Sequence, residues 1–339
     1  MTYKNFIEDV QRRLVHLYPA EEGRAIAVRL LQHFCKISSY EHIVNSSGII
    51  DEQMFKGDLD RAAQELVAAR PLQYVLGFEE FYGRKFHVEE GVLIPRPETE
   101  ELVRWILDDF KSIDNTYASP KTGSATTPFS DMTTRFSDRI RILDAACGSG
   151  CIGVTLACEL AKTFLVPQDF TPKLQVFALD FYEKTIEVTR KNATELIKRS
   201  RPQVSVIPFT VFKADLLQGP DSQNLIDNNS LDIIVSNPPY VKESERTQMR
   251  SNVLDFEPVE ALFVPDEDPL MFYKALAVWG SKLLKPGGSI YIEINETLGS
   301  EVVELLKSSG FAEVEMRKDF CSKERMVKAV AKTQTVTRN

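Results

Sequence analysis

The sequence predicts an α/β protein: a mostly parallel sheet covered by helices on both faces, preceded by a small helical domain and a linking β-hairpin. Three observations predict it. Strand-like apolar runs alternate with helix-period segments after Arg139, helical periodicity alone fills Tyr3 to Ala69, and a short aromatic and β-branched stretch lies between the two. At 339 residues the chain exceeds what one core usually holds, so two domains are expected.

In the first segment the helix-period apolar positions are Phe6, Ile7, Val10, Leu14 and Leu17, then Ala25, Val28, Leu31 and Phe34, and later Leu59, Ala62, Ala63 and Leu66. They predict a helical domain over residues 1–77. Phe78 to Pro95, with Gly83 and Gly91 at turns, reads as a hairpin linker over 78–95. Glu98 to Lys111 opens the second domain, 96–339, as a helix. The Ser/Thr/Pro/Gly-rich stretch after it reads as a mobile surface insertion at about 113–138. Beyond Arg139 the predicted strands are Ile140 to Ala145, Val176 to Leu179, Val204 to Phe212, Leu231 to Val235 and Ser289 to Ile294. The predicted helices are Ile152 to Leu160, Tyr182 to Lys198 and Leu270 to Leu284.

Composition removes several function classes. With 43% hydrophobic and 27% charged residues, no apolar run approaches the ~20 residues that span a bilayer. Met1 to Val10 carries Lys4, Glu8 and Asp9 and resembles neither a signal nor a transit peptide, so a cytoplasmic protein without a membrane partner is expected. The five cysteines form no C-x-x-C pair, and Cys147 and Cys151 have no further Cys or His nearby to complete a zinc site, so neither a disulfide framework nor a metal is expected. A formal charge of -8 disfavours stable nucleic-acid binding. All four histidines, His16, His33, His42 and His87, precede the motifs, leaving Ser-His or Cys-His catalysis little support.

Three motifs carry the chemistry. In Ile142 to Gly153 a strand runs into a loop with Gly148 and Gly150 and then a helix, where bare backbone and free N-H groups let a ligand approach; Gly148, Gly150 and Gly153 also spell the dinucleotide pattern G-x-G-x-x-G. Asp180 ends the next strand and suits the two hydroxyls of a ribose, in either a dinucleotide or an adenosyl ligand. It follows Gly150 by 30 residues, against about 20 for the nicotinamide fingerprint. Leu231 to Val241 is an apolar strand entering Asn237-Pro238-Pro239-Tyr240, where two prolines stiffen the backbone and leave carbonyls free to face a ligand. The C-terminal edge of an open α/β sheet is where ligands bind.

That loop suits a planar, amide-like nitrogen. Its lone pair is delocalised into the carbonyl, so an enzyme must hold it and aim it at an electrophilic methyl group. The Asn237 side-chain oxygen and the Pro238 carbonyl can each accept one N-H of the acceptor, and Tyr240 can cover its flat face. No strong base is needed, because the nitrogen becomes acidic only as the methyl arrives.

An Asn-Pro-Pro-Tyr tetrapeptide in this place resembles the methyltransferases that act on planar nitrogens, including DNA adenine, rRNA guanine and protein glutamine enzymes. Arg70 to Val103, with its run Pro95-Arg96-Pro97-Glu98-Thr99-Glu100, closely resembles the signature of the PrmC/HemK family of peptide chain release factor N5-glutamine methyltransferases; Phe256 to Leu262 and Leu284 to Ile294 are also similar to it. The resemblance covers nearly the whole chain. It implies a Rossmann-like, seven-stranded methyltransferase sheet, S-adenosylmethionine as donor, and the glutamine of the Gly-Gly-Gln loop of class-1 release factors as acceptor. It implies cofactor contacts on Ala146, Cys147, Gly148, Ser149 and Gly150, on Asp180, on Asp215 and Leu216, and on Asn237. Acceptor contacts are implied on Asn237, Pro238, Pro239 and Tyr240, with Asn237, Pro238 and Tyr240 catalytic.

The chain departs from the family in having Ala145, Ala146 and Cys147 in a loop usually richer in glycine. Asn295 and Leu298 stand where Gly and Gln are usual, and Val264 to Pro269 replaces a Gly-rich stretch. The main rival is an N-methyltransferase acting on a flipped nucleic-acid base, which would use the same tetrapeptide; the acidity and the absence of a Lys/Arg stripe in the helical domain argue against it. A nicotinamide oxidoreductase would need a hydride-transfer partner that the sequence does not supply, and an inactive binding module would not need an intact Asn-Pro-Pro-Tyr.

Overall fold

The computed structural model describes residues 1–38, 40–115, 139–163, 174–200 and 207–332. The expected insertion at about 113–138 and the first residues of the expected strand at 204–212 therefore lie largely outside the described residues. Two compact units are present: Met1–Glu79 with Val88–Glu90 and Gln248–Glu257, and Glu80–His87 with Gly91–Thr247 and Pro258–Asn339. No described helix is long and apolar enough to cross a membrane.

The first unit is helical. Helix α1 (Tyr3–Arg13) starts at Thr2, whose hydroxyl accepts from the Asn5 N-H at 3.1 Å, a cap worth about 1 kcal/mol. Helices α2 (Ala20–Phe34), α3 (Glu41–Val44) and α4 (Glu52–Val67) follow, α4 capped by the Asp51 carboxylate. Then α5 (Leu72–Leu76) is stopped by Gly77, whose φ of 77° a side chain would resist. Phe6, Ile7, Val10, Leu14, Leu31, Leu59, Ala62, Ala63 and Leu66 are buried in one core, as their spacing predicts. On α2 the expected face is turned by about one residue. Ala25 is exposed, while Ile26, Ala27 and Leu30 are buried, because the larger Ile26, Leu30 and Leu31 set the stripe. The unit is discontinuous in sequence. A short helix at Ser251–Leu254 belongs to it, and Arg250 pairs with Glu22 at 3.2 Å.

Strands β1 (Phe78–Phe81) and β2 (Arg84–His87) form the hairpin, turning at Tyr82 and Gly83, both at positive φ as a tight primed turn requires. Strand β2 ends at His87, earlier than the expected Pro95; after Gly91 the chain runs on to α6 (Pro97–Asn115) with no strand assigned.

The second unit holds a seven-stranded sheet. Its strands are β3 (Ile140–Ala145), β4 (Leu174–Asp180), β5 (Phe209–Lys213), β6 (Leu231–Ser236), β9 (Leu284–Glu293), β10 (Phe311–Lys318) and β11 (Glu324–Ala331), in the order β10-β11-β9-β6-β3-β4-β5. Pairing is parallel from β5 to β9, and antiparallel at β9-β11 and β11-β10. Helices α7 (Cys151–Thr163), α8 (Glu183–Ser200), α9 (Met271–Leu283) and α10 (Gly299–Ser308) complete the layers. Every residue of β6 is buried, so this strand reads as a continuous apolar run rather than an alternating one. The two short strands β7 (Val241–Lys242) and β8 (Phe263–Val264) pair in parallel beside the sheet.

Candidate active site

The order reverses where β3, at the middle of the sheet, leads to β4 on one side while β6 lies on the other, and such a reversal opens a crevice at the strand ends. A cavity of about 390 Å³ lies there, within the size of small-molecule sites. It is lined by the first loop at Ala146 and Gly148, by Asp180 to Tyr182 after β4, by Ala214 to Leu217 after β5, and by Asn237 and Pro239 after β6. Phe263, Met271 and Phe272 add apolar wall. Four segments far apart in sequence thus converge on one ligand-sized space.

Within the first loop the residues divide. Ala146 and Gly148 face the cavity, whereas the Cys147 N-H donates to the Leu179 carbonyl at 3.0 Å and its sulfur lies 3.4 Å from the Thr189 hydroxyl. Burial pushes that thiol well above its usual range, which makes it a packed hydrophobe and not a nucleophile. Ser149 is buried, and its carbonyl accepts from Asn192 Nδ2 at 2.9 Å. The same amide bonds both backbone groups of His87, which ties the loop to β2. Gly150 is needed for packing: a Cβ there would meet the Thr189 methyl at 2.8 Å, on a φ of 77°. Gly153 likewise leaves room for Asp144 Oδ2, which accepts its N-H at 2.8 Å. Burial pushes the Asp144 carboxyl up to about 7, with the Gly153 N-H opposing and Asp180 adding to the rise.

Ala146 stands at φ 57°, in the left-handed region that a Cβ disfavours by about 1–2 kcal/mol. Ala146→Gly should relieve that strain, set against about 0.4–1 kcal/mol of added unfolded-state entropy. The urea midpoint should therefore rise by the equivalent of about 0.5–1 kcal/mol at unchanged slope. A lower midpoint would mean that the Cβ contributes packing that outweighs its strain.

Asp180 is 9% exposed and already engaged on both oxygens. Oδ2 accepts from the Gly148 N-H at 2.9 Å, and Oδ1 from the N-H groups of Phe181 and Tyr182 at 2.8 and 3.3 Å. A carboxylate has about four acceptor positions, so roughly one stays available toward the cavity. Asp215 Oδ1 accepts from the Leu217 N-H at 2.9 Å, and the Leu216 carbonyl accepts from the Trp279 indole at 2.9 Å.

The acceptor loop also divides. Asn237 and Pro239 line the cavity; Pro238 is buried. The Tyr240 hydroxyl donates to Glu293 Oε1 at 3.0 Å and its half-buried ring packs against the sheet core, so this side chain also supports the loop from behind. Burial beside Glu293 pushes its phenol well above the usual range.

Five residues with no role predicted from sequence, Thr99, Glu293, Asn295, Phe181 and Tyr182, complete the site. Thr99, on the first turn of α6, accepts from Asn237 Nδ2 at 3.1 Å and donates to Glu293 Oε2 at 2.6 Å. The Asn295 amide donates to the Tyr240 carbonyl at 3.0 Å and to Glu245 at 2.8 Å, so the side chain absent from a glycine clamps the loop. Phe181 and Tyr182 supply aromatic wall next to Asp180. Thr99 lies inside the Pro95 to Glu100 run and Glu293 in the Leu284 to Ile294 stretch, so their segments were visible but their partnership was not.

The cavity fits an adenosyl sulfonium. It offers a carboxylate beside a tight loop, an apolar and aromatic slot, and an amide where a second substrate would enter. The model of the N-6 DNA methylase family matches residues 126–269, a stretch that runs from before β3, past the Asn-Pro-Pro-Tyr loop, to just before α9. Longer matches are found among curated proteins. The release factor glutamine methyltransferase of Bacteroides thetaiotaomicron is 36% identical over 320 residues, covering 94% of this chain and 97% of the relative. That of Flavobacterium psychrophilum is 31% identical over 329 residues, covering 97% and 99%. Among solved structures, the release factor-specific protein-(glutamine-N5) methyltransferase of Alicyclobacillus acidocaldarius is similar at 22% identity with a TM-score of 0.36, covering 73% of this chain and all of that one.

Proposed function

The chain belongs to the release factor glutamine methyltransferase family, and from that premise we propose that it methylates N5 of the glutamine in the Gly-Gly-Gln loop of a class-1 peptide chain release factor. The cofactor is S-adenosylmethionine, which when bound supplies a methyl group on a positively charged sulfur. The observation that carries the reading is the placement of Asn237 on the same cavity as Ala146, Gly148 and Asp180. One residue thus meets the cofactor space and the acceptor entrance.

The protein's own groups do the remaining work by orientation. Ala146, Gly148, Asp180, Asp215 and Leu216 hold the donor. The Asn237 oxygen and the Pro238 carbonyl accept the two amide hydrogens, which aligns the nitrogen lone pair and favours the positive charge that grows on it. Glutamine nitrogen gains acidity as the bond forms, so its proton can leave to solvent without a dedicated base. A single side chain buries too little surface to choose one protein among many, so selection requires a wider interface, to which the helical unit contributes. A reaction on release factors belongs with translation, in the cytoplasm.

Incubation with labelled S-adenosylmethionine and, separately, purified release factor, tRNA and DNA tests this directly. Label should enter the release factor alone. Label in tRNA or DNA instead would favour the base-methylating alternative, for which the match to N-6 DNA methylases is the motivation. In the same assay a chain lacking residues 1–69 should bind cofactor yet lose most labelling of intact factor; full labelling would free the helical unit of any part in recognition.

A further inference from the structure

Resting on that reading of the site, we propose that Thr99 and Glu293 are positioning residues: together they dictate which end of the Asn237 side-chain amide faces the acceptor. The argument is a count of protons. Glu293 is buried at the end of β9, and the parallel register that pairs Ser236 with Ile292 sets it beside Asn237. Its two oxygens accept from the Thr99 hydroxyl at 2.6 Å and the Tyr240 hydroxyl at 3.0 Å.

A hydroxyl has one proton. Thr99, 1% exposed, spends it on the carboxylate and shows only lone pairs to Asn237, 3.1 Å away. Asn237 must therefore turn its NH2 toward Thr99 and its oxygen away. The two ends of an amide have nearly the same shape, so packing alone separates them poorly; hydrogen bonds decide. Were the amide reversed, NH2 would meet NH2 at the acceptor, and only the glutamine hydrogen held by the Pro238 carbonyl would keep a partner. The carboxylate of Glu293 thus sets the polarity of a group that it does not touch.

Burial raises the Glu293 carboxyl above its usual range, opposed by the hydroxyls of Thr99 and Tyr240 and by Arg325, with Glu98 adding to the rise. The Thr99 hydroxyl thus serves the acid as well as the amide. Removing either link should release Asn237 without disturbing the cofactor, whose cavity includes neither Thr99 nor Glu293.

The test compares Thr99→Val, which keeps the shape and loses the hydroxyl, with Thr99→Ser, which keeps the hydroxyl. Thr99→Val should lower kcat on release factor about 10- to 100-fold, with the S-adenosylmethionine Kd within about twofold of wild type, and Thr99→Ser should recover most of the turnover. Turnover by Thr99→Val within about twofold of wild type would overturn the relay, as would a serine variant as slow as the valine one. Glu293→Leu removes the acceptor that takes the Thr99 proton, so it serves if the valine variant does not bind cofactor; wild-type kcat there would also overturn the proposal. A second readout does not depend on the substrate. In protein labelled with ¹⁵N-asparagine, the Asn237 NH2 resonance, assigned by its loss in Asn237→Asp, should exchange slowly in wild type and fast in Thr99→Val. Equal exchange rates would sink the relay even with the methylation of release factor intact, whereas failure of wild type to label release factor would sink the functional reading and leave the exchange result to judge the relay.

Discussion

Replacing Asn237 with alanine is expected to cut kcat about a hundred- to a thousandfold while S-adenosylmethionine affinity changes little. The size follows from what is removed. Asn237 is the one side chain of the Asn-Pro-Pro-Tyr loop that both lines the cavity and carries a hydrogen-bonding group, and its Nδ2 is already committed to Thr99. Alanine leaves the Pro238 carbonyl to hold one amide hydrogen and lets the nitrogen rotate away from the line of attack. Donor binding is expected to rest mainly on other segments that line the cavity, the first loop and Asp180, so the two constants should separate. Single-turnover kinetics alongside calorimetry would measure them, and near-normal turnover would refute the assigned mechanism.

Asp180→Ala should weaken S-adenosylmethionine binding by about 1.5–3 kcal/mol, roughly ten- to a hundredfold. Two losses combine in it. The carboxylate has acceptor capacity left for a ribose hydroxyl, and it also gathers the N-H groups of Gly148, Phe181 and Tyr182. Without it the turn after β4 and the first loop lose their common anchor, so the aromatic wall loosens along with the direct contact. Calorimetry on the purified variant measures the change; unchanged affinity would reduce Asp180 to a strand-end residue that merely shapes its own turn.

What could be read from the sequence follows the range of the interactions involved. The Gly-rich loop, Asp180 and the Asn-Pro-Pro-Tyr loop were legible because each is a local device, a turn or a strand end whose chemistry sits within a few residues. The seven-stranded sheet was legible through the family resemblance, whereas apolar periodicity marked only its five parallel strands. The relay Asn237, Thr99 and Glu293 was not legible. It joins α6, β6 and β9 across 138 and 194 residues, and only the sheet register makes neighbours of them. The link from Tyr240 to Glu293 was hidden for a related reason: the buried carboxylate that its phenol meets lies 53 residues further along the chain. Strands β10 and β11 were missed because their outward faces are polar; on β10 only Phe311 is fully buried. The left-handed backbone of Ala146 could not be foreseen, since alanine gives no signal for it.

The discontinuity of the helical unit has a consequence for how the chain is made. Its first 79 residues leave the ribosome early, yet Gln248–Glu257, with Arg250 paired to Glu22, arrives only after roughly 170 more residues, about 10 to 30 s at ordinary elongation rates. For that interval the nascent helices carry a surface still awaiting its covering segment. Folding of the leading unit cannot be finished until much of the trailing one has been made, so the two are coupled by the order of synthesis, and a pause placed before codon 248 would lengthen the time that surface is open to chaperones.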